Sequence, residues 1–580
     1  MRVMSRHMAK LRGVAEEFLS PGLLNDYIRL ATVSVAMGLV IGLSTVVVHE
    51  FYYYSHMLFE TLIHTSIAFT VILPVVGITV AYALVTRYAT TKQSGGGSHR
   101  LLEAYHYEGG IMTARDTLFE PLASSITIGL GGSAGFEGPS LLLGGGIGSL
   151  IAQRLDLEPG QIQTFLISGA AAGVAAIFKA PLTGIMFALE IPYKRDLSRR
   201  AFIPATLASI SAYLVAVNFL GTESILPLIP VFELPTPWTL LHAFGVGIVT
   251  AIFGVLFVKT FGAVKRVKDG VHVNPILIPV LGGAIVGTVG LFLPQVMGVG
   301  YETVHAIVVG ESHEWSVWLL LALIVFKMLL TSVTLNSGGS GGVFVPSLFI
   351  GAALGALYIR FFPIQGEEVA IAAAMASIIA VSSKTLLTSV AFVAETAGPS
   401  SIIFTLIAAA TSYFISRDVS FYEHVQPVDE FSEQEEAVHV LYHLLKKGEN
   451  WERFREIKIT DVMIHDPVVL RENMRIKEAL EAVQGCRNRE YPVIRRNKII
   501  GQTNLETLLT FPVDKQRLEI GLLPLDHPGV LTEEDSIEDA LHMLMEGDHT
   551  CVWVVDSRDK MRPVGVVTET DMMVKLLEQM

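Results

Sequence analysis

The chain has 580 residues, 51% of them hydrophobic and 17% charged, with a mean hydropathy of +0.51. Soluble domains carry about 25% charged residues, so the composition points to a membrane. The formal net charge of −13, with no large basic face, argues against nucleic-acid binding.

The chain begins with a basic stretch, MRVMSRHMAKLRG, followed by acidic residues and not by an apolar run with a cleavage site. No secretory signal peptide is expected. Long apolar stretches occupy residues 28–48, 66–85, 162–190, 201–220, 240–261, 275–293, 317–333 and 369–394. Each is long enough to cross, or nearly cross, about 30 Å of hydrocarbon as a helix. The expected fold is an all-α integral membrane domain. Glycine clusters at 131–148, 169–173 and 338–355 interrupt the apolar pattern. Broken helices at membrane depth are tolerated where protein buries them or where they line an aqueous cavity, so the clusters suggest a transport pathway.

After about residue 418 the chain becomes polar. Residues 423–458 read as a linker, and 459–580 as a soluble α/β region. There Ile476, Leu480 and Val483 have helical spacing, as do Ile537, Ala540 and Leu544, while 492–494 and 551–555 read as strands. Cys486 and Cys551 form neither a disulfide framework nor a metal-ligand cluster, and no metal site is expected.

The chain repeats itself. Residues 132–150, GSAGFEGPSLLLGGGIGSL, align without a gap on 339–357, GSGGVFVPSLFIGAALGAL, with nine identities in nineteen positions. Downstream, APLTGIMFALE at 180–190 aligns with TLLTSVAFVAE at 385–395. Two matches in the same order imply a duplicated half, with repeat 1 at about 28–220 and repeat 2 at about 240–422. Each copy has a glycine turn, then proline, then an apolar helix. Proline suits the first helical turn, and glycine allows close approach to a ligand. Free N–H groups and the helix dipole favour an anion there without a buried cation. Transporters often place their site between such repeats.

These segments resemble the CLC family of chloride channels and chloride/proton exchangers. GFEGP at 135–139 is similar to the family's GREGP motif, and GGVFVPSL at 341–348 to its GGxFxP motif. SGAAAGVAAIFKAPLTGIMFALE at 168–190 is similar to the segment joining helices of the first half. The resemblance implies a membrane domain over residues 28–422 of two inverted halves, in a homodimer with one pathway per subunit. It implies transport of chloride or a similar monovalent anion, with protons and the lipid bilayer as the other partners. Glu137 stands at the family's gating glutamate, where an ionised carboxylate blocks the anion site and protonation releases it. Val343 and Phe344 stand where backbone amides face the anion, with Phe136 and Glu137 equivalent in the first copy. Tyr422 matches the family's central tyrosine.

The departures carry weight. The family's pore-serine position falls on Gly97, in SGGGSHR, with Ser98 adjacent and able to take the place in a shifted alignment. Phe136 replaces the arginine of the motif. The internal proton-relay glutamate of exchangers falls on Ile191, and Glu190 aligns with a more structural glutamate; a shift of one residue would make Glu190 the relay. The expectation is a channel-like or weakly proton-coupled protein, the alternative a proton-coupled antiporter with a non-standard internal route.

The tail resembles a pair of CBS domains at about 459–515 and 521–580. GVVTETDM at 565–572 is similar to the pattern whose threonine and aspartate hold a nucleotide. Thr568 and Asp571 would take those roles with AMP, ADP or ATP, and a purely structural dimerisation module is the alternative. The resemblance and the basic N-terminal segment (residues 1–27) imply a multi-pass protein of a prokaryotic inner membrane with both termini cytoplasmic. An enzyme is not expected: GSAGFEG lacks the GKS/GKT ending of a phosphate loop. A cation transporter would need clustered carboxylates or carbonyls.

Overall fold

The computed structural model describes residues 21–90, 96–157, 159–222, 236–364, 366–398, 401–427, 451, 457–484, 490–510, 518–523, 525–545, 551–557 and 561–579. Most of the N-terminal segment, most of the 423–458 linker and Cys486 lie outside these. The chain forms two compact units, residues 1–430 and 431–580.

The first unit is helical. In chain order, its first half holds α1 (Pro21–Thr65), α2 (Phe69–Tyr88), α3 (Gly97–Tyr107), α4 (Ala114–Gly129), α5 (Glu137–Arg154), α6 (Pro159–Phe178), α7 (Pro181–Glu190) and α8 (Phe202–Leu220). The second half holds α9 (Pro237–Asp269), α10 (Leu277–Phe292), α11 (Tyr301–Val308), α12 (Val317–Asn336), α13 (Phe344–Phe361), α14 (Glu367–Ser383), α15 (Leu386–Ala397) and α16 (Ile402–Ile415). Among the described residues, seven helices are long and apolar enough to cross a membrane. Many of their outward-facing side chains, such as Leu43, Val47, Phe219 and Ile252, are exposed apolar groups, as a lipid-facing surface requires.

Two expected single spans are each two helices. The apolar run 162–190 breaks between α6 and α7, and the run 369–394 breaks between α14 and α15. The breaks are equivalent. Lys179 and Lys384 both take left-handed backbone conformations, φ 53° and 56°. Their Nζ atoms tie off the ends of the next long helices: Lys179 donates to the Leu220 carbonyl, and Lys384 to Ser416 Oγ and the Tyr413 carbonyl. The first run, expected at 28–48, continues as one helix to Thr65.

Most of the clustered glycines do not break helices. Gly144 and Gly148 of α5 face Gly169 and Phe165 of α6 so closely that a Cβ on either would strike backbone. Gly351 and Gly355 of α13 lie equally close to α14, against Met375 and Ile371. Small residues here let helix axes approach where no hydrophobic force separates protein from lipid. Only 131–136 and 338–343 are turns, each with a positive-φ glycine, Gly131 and Gly338.

Two glutamates bind the halves together. Glu190, at the end of α7, accepts from Leu387 N (2.9 Å), Thr388 N (2.8 Å) and Thr388 Oγ1 (2.8 Å). Glu395, near the end of α15, accepts from Leu182 N (2.9 Å), Thr183 N (2.8 Å) and Thr183 Oγ1 (2.5 Å). Each carboxylate therefore caps the N-terminus of the other half's helix, supplying charge where the dipole favours it.

The second unit contains two strand triplets of the same design. One sheet runs β2 (Leu470–Arg471), β3 (Glu490–Arg495), β4 (Lys498–Asn504). The other runs β1 (Ile464–His465), β7 (Pro563–Thr568), β6 (Cys551–Val555), β5 (Val530–Thr532). In each triplet the first pair is parallel and the second antiparallel. The helical spacing at 476–483 becomes α17 (Ile476–Ala482), and that at 537–544 becomes α19 (Ile537–Met545), with α18 (Leu505–Thr510) between them. Trp553 and Gln502 join the sheets through a 2.9 Å hydrogen bond.

Glu190→Gln puts an amide N–H₂ among three donors. The expected cost is about 1–3 kcal/mol, the penalty for a buried donor left unpaired. It is measured as a lowered midpoint of thermal unfolding in detergent, and an unchanged midpoint would contradict the capping role.

Candidate anion site

The site is built where the two glycine turns meet. Gly135 N donates to Gly342 O (2.9 Å), and Gly342 N donates to Gly135 O (2.8 Å). This reciprocal, antiparallel bridge is the arrangement a twofold relation between the halves produces. A second reciprocal pair brackets it: Ser133 N donates to Thr334 Oγ1 and Ser340 N to Thr127 Oγ1. The four positions are equivalent in the two repeats. The result sets the N-termini of α5 and α13 against each other.

Glu137 opens α5 and is fully buried. Its Oε1 accepts from Phe344 N at 2.5 Å, at the first residue of α13. Its Oε2 has no hydrogen-bond partner among the described residues. A Cβ on Gly135 or Gly342 would collide with this carboxylate, so the bridge glycines provide the space it fills. The carboxylate oxygens stand in the place of an anion at a helix N-terminus.

Val343 immediately precedes α13 and Phe136 immediately precedes α5. Both side chains are buried. The Phe344 ring packs against Phe178, Phe187 and Phe392 at centroid distances of 5.3, 5.5 and 5.5 Å. That cluster fixes the amide facing Glu137. Phe136 meets Tyr52 edge-on at 4.4 Å; where the motif has arginine, this chain has an aromatic contact.

Tyr422 is buried on a turn held by Ser420 Oγ accepting from Tyr422 N (2.9 Å) and by Phe421 N donating to Ser382 O (3.0 Å). The hydroxyls of Ser98 and Ser383 both face that of Tyr422. Gly97, expected at the pore-serine position, has no hydroxyl to offer, and its α-carbon lies against the backbone of Gly138, where even a Cβ would clash. The neighbouring Ser98, completely buried in the first turn of α3, presents the oxygen instead. Arg100, further along the same helix, anchors α3 by an ion pair to Glu108 at 2.7 Å, with Asp116 3.8 Å away.

Ile191 is buried, and its carbonyl accepts from Gln426 Nε2 at 2.8 Å. Both oxygens of Glu190 are engaged at the start of α15, so it presents no unpaired oxygen for proton relay.

Lys327 is a residue that the motifs do not single out. It is completely buried in α12, donates to the carbonyls of Val296 (3.2 Å), Gly298 (2.9 Å) and Val299 (3.3 Å), and lies 4.9 Å from the Phe349 ring centre. The available signal was a lone lysine within the apolar run 317–333, since intramembrane charges are rare and usually functional. Here it ties the turn before α11 to α12. Ser383 gave no comparable signal.

In the second unit, Thr568 N and Oγ1 both donate to Asp571 Oδ2, at 3.0 and 2.6 Å, and Asp571 N donates back to Thr568 Oγ1 at 3.3 Å. The pair caps α20 (Glu569–Gln579) in the manner of a capping box. Asn504 holds the equivalent place before α18, accepting from Thr507 N at 2.7 Å.

Comparison with known proteins agrees with this architecture. The profile of the voltage gated chloride channel family matches residues 76–417, and that of the CBS domain matches 459–513 and 522–578. A putative chloride channel protein ClcB-like of Ralstonia nicotianae is 30% identical over 267 residues, 45% of this chain and 61% of that protein. The aligned part thus spans less than two thirds of this relative. The voltage-gated ClC-type chloride channel ClcB of Shigella flexneri is 28% identical over 53% of this chain and 75% of its own length. Two solved structures share the fold. A CLC-type fluoride/proton antiporter has a TM-score of 0.61 at 23% identity, over 70% of this chain and 99% of that one. A slow cyanobacterial Cl⁻/H⁺ antiporter has a TM-score of 0.59 at 21% identity, over 67% and 94%. With a family match across most of the helical unit, a CBS pair behind it, and paired glycine turns at its centre, the chain belongs to the CLC family of voltage-gated chloride channels.

Proposed function

We propose that this chain carries chloride or a similar monovalent anion across a membrane, through one pathway in each subunit of a homodimer, with Glu137 as the gate. The observation that carries this reading is the Glu137 carboxylate seated on Phe344 N–H between the paired helix N-termini. A carboxylate there occupies the place an anion needs. Protonation removes its charge and its claim on the amide, and the anion takes its place. The amides of Val343 and Phe344, together with the hydroxyls of Ser98 and Tyr422, supply donors without any fixed positive charge. Such donors bind an anion and still release it. A family of transporters and channels, rather than enzymes, is in keeping with this chemistry.

The internal end favours conduction that is channel-like or only weakly proton-coupled. Isoleucine stands at position 191, and Glu190 is committed to capping α15. The second reading is an antiporter with a non-standard proton route. It draws support from the solved relatives of the same fold, two of which are described as proton antiporters. Both termini would lie on the cytoplasmic side of a prokaryotic inner membrane, with the CBS pair exposed to cytoplasmic nucleotides. AMP, ADP or ATP would bind through Thr568 and Asp571, whose mutual hydrogen bonds fix the start of α20.

Glu137→Gln, in liposomes containing the full-length protein, is expected to give anion flux that varies little with pH. Retention of wild-type pH dependence would remove Glu137 from the gate. A chloride gradient imposed on wild-type vesicles is expected to drive little uphill proton movement; stoichiometric pumping would establish the antiporter reading instead. Calorimetry of the full chain with AMP, ADP and ATP is expected to give heat that Asp571→Asn abolishes. Silence with all three nucleotides would leave the tail a structural module.

A further inference from the structure

Serines in the helices of this protein commonly return their hydroxyl to their own backbone. Ser377 Oγ donates to Ala373 O (2.7 Å), Ser389 Oγ to Leu386 O (2.7 Å) and Ser347 Oγ to Val343 O (2.8 Å). This is the usual behaviour of a hydroxyl in an apolar helix. Ser383 departs from it. It is completely buried at the last residue of α14. Its Oγ makes no hydrogen bond of normal length and angle among the described residues, and neither does that of Ser98. Both oxygens face the Tyr422 hydroxyl.

The backbone around Ser383 is arranged to leave its hydroxyl in this direction. The next residue, Lys384, turns the chain with φ 56°. The carbonyl of Ser383 is turned toward Gln426, whose Nε2 also serves Ile191 and Tyr193. Ser382 accepts from Ser347 Oγ at 3.1 Å, and that hydroxyl is one turn from the α13 N-terminus. Ser383 is thus tied by its neighbour to the helix whose first amide faces Glu137. A buried hydroxyl without a well-formed hydrogen bond is costly, and two such oxygens beside one tyrosine hydroxyl ask for a shared partner.

We infer that Ser383 is a third hydroxyl ligand of the anion site, completing with Ser98 and Tyr422 a set of O–H donors that favours a compact, strongly hydrated anion over a diffuse one. This rests on the anion-transport reading and sharpens its specificity. Chloride loses more hydration than nitrate or thiocyanate on entering the site, so an additional O–H donor compensates it more. The position is polar in this half only. Its equivalent in the first repeat, at the same offset as the Lys179 and Lys384 turns, is Phe178.

The test uses full-length protein in liposomes, with chloride efflux measured against equal concentrations of nitrate and of thiocyanate. Ser383→Ala is expected to reduce the chloride-to-nitrate flux ratio by roughly 3- to 10-fold, the part of one hydrogen bond to an anion by which the two anions differ. Ser383→Thr is expected to restore it. Thr385→Val, which removes another buried unpaired hydroxyl two residues away, is expected to leave the ratio unchanged. Should Ser383→Ala not assemble, Ser383→Cys, a near-isostere with a weak donor, carries the same comparison. An unchanged ratio overturns the inference, even if total flux falls, since a structural role lowers all anions alike. Wild-type vesicles that pass no anion would overturn the transport reading itself, and the inference with it.

Discussion

Two backbone hydrogen bonds, Gly135 to Gly342 and Gly342 to Gly135, are the constraint on which the rest of the helical unit depends. Glycine at both positions lets the Glu137 carboxylate sit against the bridge, since a Cβ on either would occupy the space of that carboxylate. The bridge sets the register of the two repeats. It thereby sets the distance between two helix N-termini, whose unpaired amides form the electropositive end of each helix. Everything proposed about anions follows from bringing those two ends together.

Around that bridge the halves exchange support. Ser133 reaches Thr334 while Ser340 reaches Thr127, and Glu190 and Glu395 cap one another's helices. Each exchange satisfies backbone N–H groups that have no partner within their own helix, those at Ser133, Ser340 and Thr388 being buried. A buried amide without a partner is expensive at membrane depth, and here the partner comes from the other half. A half-chain alone would leave both sets of donors open, so the duplication is bound up with stability as well as with the site.

Much of this is legible in the sequence, and the gaps have identifiable causes. The repeat offset places α5 and α13 on equivalent residues, because glycine turns followed by proline are strong local punctuation. The helix breaks at Lys179 and Lys384 are harder to read. Pro181 offers a signal for the first, but Leu386 offers none for the second, and a lysine in the left-handed region carries no mark in the sequence. The choice between Gly97 and Ser98 turns on a single residue of register in a glycine run, which composition cannot decide. In three dimensions it is the Ser98 hydroxyl that lies beside Tyr422. Ser383 looks like any helical serine until the absence of its usual backbone partner is seen in three dimensions.

The comparison of the two halves separates structural residues from chemical ones. Where a residue and its equivalent match, both serve one mechanical purpose. Gly135 and Gly342 bridge, Glu190 and Glu395 cap, and Lys179 and Lys384 turn the chain. A side-chain relay or ligand, unlike the paired backbone N-termini, need not occur twice, because an anion or proton crosses once. Glu137 has Phe344 as its equivalent, and Ser383 has Phe178. Symmetry-breaking therefore marks the residues proposed to act on the ion. By the same criterion Glu190, mirrored by Glu395 in both position and hydrogen bonding, belongs to the scaffold. To move a proton it would have to release the N-terminus of α15, while its twin went on holding that of α7.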